Sequence, residues 1–182
     1  MCGLAAADRR ESARSSRHQV PVKTRPVFAL PLLLLALAIS ARAAVPDAAL
    51  IERLTGLKGA ANEAEGVFKV TKPRADLPVS VEARVIAPFA GFTSWAAFNS
   101  GGPAEAMVMG DLVLLEDEMT PVLKSLRRDG VNIVAIHHHM LHETPRMLFL
   151  HYYGRGSAAS LGAALKRALV VQAAVKPKAV AP

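Results

Sequence analysis

The sequence predicts an α+β domain, a mostly antiparallel sheet with flanking helices. Three observations predict it. Several short segments alternate apolar and polar residues with period two. Three others place apolar residues at helical spacing. Their order (helix, four strands, helix, two strands, helix) does not alternate strand with helix as a parallel sheet requires. With 182 residues the chain is long enough for one ordinary domain and too short for two.

The first helix is expected in PDAALIERLTGLKG, residues 46–59, with Asp47 as cap and Leu50, Ile51, Leu54 and Leu57 on one face. GVFKVT, VSVEARVI and FTSWAAF (66–71, 79–86 and 92–98) read as strands, the last followed by an NSGGP turn. Pro73 and Pro78 bracket a polar turn between the first two. AMVMGDLVLL, residues 106–115, is almost continuously apolar, as in a strand buried on both faces. In EDEMTPVLKSLRRDG, Met119, Val122, Leu123 and Leu126 mark a helix; Asp117 or Thr120 can cap it, Pro121 suits its first turn and Gly130 ends it. VNIVAIHHHML and RMLFLHYY are strand-like, and SAASLGAALKRALVVQ is helical with Ser157 as cap. Residues 172–182 are expected to form a disordered tail, leaving 44–171 as the domain. Trp95 and Phe98 are expected in the core.

Much of the hydrophobicity lies in VFALPLLLLALAISARA, residues 27–43. Basic residues precede this run, and Ala41-Arg42-Ala43 ends it. A basic start, a short apolar stretch and an A-x-A site predict a signal peptide over residues 1–43. Residues 1–43 hold seven of the 22 Lys and Arg and two of the 15 Asp and Glu, so 15 basic and 13 acidic residues remain. That near balance gives no support for nucleic-acid binding. The one cysteine, Cys2, lies in the signal segment, so neither a disulfide, thiol chemistry nor a lipid anchor is expected of the mature chain. The expected location is the periplasm or outside the cell, with no stable membrane anchor once the signal is cleaved.

Five of the six histidines fall in IHHHMLHETPRMLFLHYYGRG, residues 136–156. If Thr144–Arg146 form a three-residue hairpin loop, His139 faces His151 and His137 faces Tyr153. Side chains alternate along a strand, so His137, His139 and His151 share one face while His138 and His142 take the other. Facing residues have Cβ atoms about 4.5–5.5 Å apart, close enough for three imidazoles to converge on one ion. Imidazole suits zinc first and other divalent transition metals as well, and three ligands with an open position is the catalytic arrangement. A polar strand end and a metal-free acid/base site are the competing readings. Asp111 interrupts the apolar strand and needs a partner, with Arg74, Arg84 and a ligand histidine as candidates. Glu116, Asp117 and Glu118 suit the dipole at a helix start.

FKVTKPRADLPVSVE, TSWAAF, MVMGDLVLLEDEMTPV and AIHHHMLHETPRMLFLHYYGRG together resemble the LppY/LpqO family, bacterial secreted or lipid-anchored domains of unknown function. The resemblance covers about residues 47–170. It matches Gly110, Asp111, Glu118, Pro121, His137, His139, Glu143, Pro145 and His151. His138 stands where the family usually has Asn, and the lipobox of many members is missing. A looser, fold-level similarity connects the H-x-H strand and the later histidine to acetolactate decarboxylase and a human zinc-binding ester hydrolase, which hold zinc in this way. The expected function is therefore a zinc-dependent hydrolase or decarboxylase of small molecules. Its ligands would be His137, His139 and His151, its acid/base partner Glu118, its imidazole orienter Asp111 and its substrate-carboxylate clamp Arg74. The alternative is a non-catalytic binding module for a metal, a small ligand or an envelope component.

Overall fold

The computed structural model describes residues 45–102 and 105–176. The expected signal segment and the end of the expected tail lie outside these residues. The architecture is α+β, as the sequence predicts. Among the described residues nine strands and three α-helices run in the order α1 (Ala48–Thr55), β1 (Gly59–Asn62), β2 (Val67–Pro73), β3 (Ser80–Val81), β4 (Arg84–Val85), β5 (Thr93–Gly102), β6 (Glu105–Leu115), α2 (Glu116–Arg128), β7 (Asn132–His137), β8 (Glu143–Thr144), β9 (Met147–Gly156) and α3 (Ala158–Ala174). Six strands form one sheet in the order β1-β2-β5-β6-β9-β7; β4, β3 and β8 form a small second one. Every pairing is antiparallel.

The two faces of the large sheet have different covers. Val108, Leu112 and Leu114 of β6 and Leu150 and Tyr152 of β9 point to the back, where Ile51, Val122, Leu126, Leu161 and Leu165 of the helices pack on them. The odd-numbered residues point forward. Val113, Leu115, Met147 and Phe149 meet Val79 and Phe92 there, in a smaller cluster beneath the second sheet. Farther along the front face this cover ends, and Met109 is 55% exposed. Asp111 and His151, one strand period beyond Val113 and Phe149, sit at that boundary.

Several elements differ from expectation. Residues 79–86 form a hairpin rather than one strand: Glu82 and Ala83 both take positive φ, 49° and 61°, and Ile86 N–H donates to Val79 O at 2.8 Å. Residue preference conceals this turn, because positive φ at two non-glycine positions is unusual. β1 was not anticipated; its sequence GAAN has no apolar alternation and all four residues are exposed. β5 runs on through the expected turn to Gly102. α2 starts at Glu116, so Pro121 falls in its second turn, and its first N–H partner is Glu118 rather than Asp117 or Thr120: Leu115 N–H donates to Glu118 Oε2 at 2.9 Å. α3 continues to Ala174 beyond the expected start of the tail, because Gln172 is buried and bonded to β6 and α2.

Gly110 is required where it stands. A Cβ there would fall 2.6 Å from the Trp95 carbonyl oxygen and onto the hydroxyl and Cζ of the buried Tyr152, whose hydroxyl donates to that same carbonyl at 3.3 Å. Backbone on one side and a packed phenol on the other leave no room to give. Gly110→Ala is expected to lower the unfolding free energy by about 1–3 kcal/mol, as overpacking does, read from the urea midpoint.

Candidate functional site

The hairpin register differs from the three-residue-loop expectation. His137 faces Phe149 and Ala135 faces His151, with an irregularity between Ile133 and Ala135. Residues 138–146 form the connection, and within it β8 joins the second sheet through β3. The partner of His137 has moved from Tyr153 to Phe149, four residues along β9. Four is even, so His137 and His151 keep their common face. His139 lies past the end of β7 and reaches the same region from the connection. Its ring stacks on Phe149 at 4.6 Å and meets Phe92 edge-on at 6.2 Å.

His137 and His151 meet directly, with their Nε2 atoms 2.8 Å apart and their rings stacked at 4.9 Å. The tautomer of His137 follows from its other nitrogen. Nδ1 lies 3.0 Å from the carbonyl oxygen of His138, which can only accept, so Nδ1 carries the proton. In the neutral ring this leaves Nε2 with a free lone pair turned toward His151. Asp111, paired with His151 across β6 and β9, puts Oδ2 3.7 Å from His151 Nε2. Its other oxygen, Oδ1, is buried without a hydrogen-bond partner. Burial pushes the Asp111 carboxyl above its ordinary value, and His151, His137 and His139 pull it back in that order. One carboxylate and three imidazoles therefore share one electrostatic neighbourhood. As they stand, no three His, Cys, Asp or Glu side chains among the described residues are arranged to hold a metal ion. The converging pair is His137 and His151, with Asp111 beside the same nitrogen. Asp111 faces Nε2, so it does not fill the expected orienting role on the far nitrogen of a ligand ring.

Arg74 and Glu118 are brought together elsewhere. Arg74 is 2% exposed and Glu118 4%. Arg74 Nη1 donates to Glu118 Oε2 and to Val113 O, both at 2.7 Å, and Nη2 donates to Glu118 Oε1 at 3.1 Å. Asp76 takes Nε and Nη2 at 3.0 and 2.9 Å. Gln172 Nε2 donates to Glu118 Oε2 at 3.1 Å and to Val113 O at 3.0 Å. All five Arg74 N–H directions have acceptors, so none is left for a substrate carboxylate. Glu118 Oε2 accepts from Arg74, Leu115 and Gln172 at once, which commits that oxygen to the cluster. A cavity of about 440 Å³ borders this cluster, lined by Lys72, Arg74, Asp76, Glu118 and Gln172 among others. Burial, then Arg74, lowers the Lys72 ammonium from its ordinary value.

Arg84 is not the partner of Asp111; it lies in the exposed β3–β4 hairpin. Sequence reasoning missed the aromatic floor of Phe92 and Phe149, although Phe149 stands two residues before His151 on the same face. It also missed Gln172, which comes to Glu118 from 54 residues away and carries no local signal.

Residues 49–171 match the family model described as a Domain of Unknown Function (DUF1259). The chain belongs to this family. The match spans α1 to most of α3, so this DUF1259 domain includes both the histidine site and the Arg74–Glu118 cluster. Neither the search of curated proteins nor that of solved structures gave a match.

Proposed function

We propose that the chain is a secreted or periplasmic metal-binding protein of the LppY/LpqO type, with zinc as the expected ion. The observation that carries this reading is the 2.8 Å approach of His137 Nε2 and His151 Nε2 beside Asp111, whose Oδ2 lies 3.7 Å from His151 Nε2 and whose Oδ1 is buried without a partner. A buried polar atom without a partner is costly. A cation among these groups would answer that demand and take the lone pairs of both imidazoles. The donor chemistry fits: neutral imidazoles suit zinc, and a His137 ring with Nδ1–H fixed on a backbone carbonyl is set to offer Nε2. His137 and His151 would hold the ion, with His139 as the third imidazole and Asp111 supplying negative charge. Such an ion, when bound, polarises a carbonyl or activates water, the chemistry of small-molecule hydrolysis or decarboxylation. In this chain Asp111, rather than Glu118, is the carboxylate placed beside the ligand imidazoles. The exposure of His137, His138 and His139 favours one other reading, a binding module that presents its metal without enclosing a substrate. The signal-like run at 27–43 supports export, and no helix among the described residues is long and apolar enough to cross a membrane.

The test is metal analysis by mass spectrometry on untagged protein prepared without chelating resin. About one zinc per chain is expected after incubation and dialysis, lost in His137→Ala and His151→Ala and kept in His142→Asn. Wild-type protein that retains no zinc would remove the proposal.

A further inference from the structure

His138 and Glu143 have no place in the metal reading, yet the structure spends a buried carboxylate on them. Extending the β7–β9 register by two residues beyond His137 and Phe149 would put His139 opposite Met147. The strand does not extend. Instead Met147 N–H donates to Glu143 Oε1 at 3.3 Å, and Met147 C=O accepts from His138 Nδ1 at 2.9 Å. Two side chains thus occupy both backbone groups that the next β7 residue would have used. The two lie 3.8 Å apart, His138 Nδ1 to Glu143 Oε1. Glu143 is 1% exposed, and its Oε2 has no hydrogen-bond partner, with Arg146 Nη1 3.7 Å away. Met147 is fully buried at the start of β9, so its polar groups need partners from somewhere. His142, between the two clamping residues, takes φ +60° where the chain turns back. Released from the ladder, His139 folds onto Phe149 and against Gly91, where a Cβ would come within 3.2 Å of its ring.

We propose that Glu143 and His138 are positioning residues: they end β7 by capping Met147, and so hold the His139 imidazole over Phe149 beside His137 and His151. In a strand that continued, His139 would be fixed by backbone pairing opposite Met147, short of that place. The middle histidine of the triplet thus has a different task from its neighbours. This deepens the metal reading and rests on it for the purpose of the placement, but the placement itself can be observed without metal.

The test is NMR of metal-free, full-length protein labelled at histidine Cε1, with His139 assigned by substitution. Stacking on Phe149 displaces the His139 Cε1–H resonance upfield in the wild type. Glu143→Ala is expected to return it to the position of a free histidine. Glu143→Gln, whose amide oxygen still accepts from Met147 N–H, is expected to keep it displaced. His138→Ala, at a more exposed site, is expected to move it in a chain that stays folded, judged by unchanged core methyl signals. A displaced resonance in folded His138→Ala and Glu143→Ala overturns the inference, as does equal loss in Glu143→Gln. Zinc titration separates the two proposals: Glu143→Ala is expected to bind about 10–100-fold more weakly than wild type, and Glu143→Gln near it. Wild-type protein that binds no zinc while His139 still responds to Glu143→Ala removes the metal and leaves the clamp. Zinc binding with an unresponsive His139 does the reverse.

Discussion

Arg74→Met is expected to lower the unfolding free energy by about 3–5 kcal/mol, the loss typical of stranding one partner of a buried ion pair. The size follows from what remains. Glu118 keeps its place at the start of α2 against Gln172 of α3, 4% exposed, and loses both of its guanidinium bonds. The Leu115 N–H and the Gln172 amide still donate to it, but no cation balances its charge. Val113 O loses one of its two side-chain donors at the same time. Arg74→Met/Glu118→Leu is expected to recover a good part of the loss, because apolar side chains of similar volume replace buried pairs at little net cost. Urea unfolding of wild type, both single variants and the double gives the coupling directly. A loss under about 1 kcal/mol in Arg74→Met would mean that the pair behaves as an exposed one. Asp76 adds a pH dependence of known sign. Its hydrogen bonds with Arg74 hold its carboxyl below the ordinary value. Its contribution is therefore complete above the ordinary carboxylate range and fades as pH falls through the lowered one. The effect is modest, since the Asp76 side chain is 60% exposed.

This cluster also shows where sequence reading stops. Asp111 was legible as unusual, because its charge interrupts an apolar strand, whereas Arg74 lay in a polar turn and Glu118 among acids that suit a helix start. Which charge meets which was not legible. Arg74 meets Glu118 across 44 residues and Gln172 arrives from the last helix, and no local pattern encodes either distance. The sheet was legible for the opposite reason: alternation in β2, β5, β6 and β9 is a local property tied to burial on a face. The same alternation placed His137 and His151 together even though the register was misjudged, since an even slip preserves the face. It did not place His139, whose position is set by side chains that end the strand. The β3–β4 hairpin escaped because its turn uses Glu82 and Ala83 where glycine or asparagine is the usual signal.

Asp111→Leu is expected to push stability and metal affinity in opposite directions. Asp111 stands in the run M-G-D-L-V-L, 6% exposed, with one oxygen unpartnered and the other 3.7 Å from His151 Nε2. An unsatisfied buried polar group costs about 1–3 kcal/mol. Leucine removes that cost. The metal-free variant should therefore unfold at a higher temperature than metal-free wild type. Zinc affinity should fall about 10–100-fold, as when a charged neighbour of a ligand is removed. Binding to the folded state alone raises stability with ligand concentration, so added zinc should raise the wild-type Tm far more than that of the variant. The order of the two Tm values then reverses between chelator and excess zinc. A variant less stable than wild type in chelator would mean that Asp111 serves the fold, through His151, rather than the ion. A variant more stable in chelator but equally responsive to zinc would separate the carboxylate from the metal and leave the three imidazoles to hold it alone. Reversal ties the two together: an acid kept in an apolar strand at a cost to the fold is kept for the charge it presents to its neighbours.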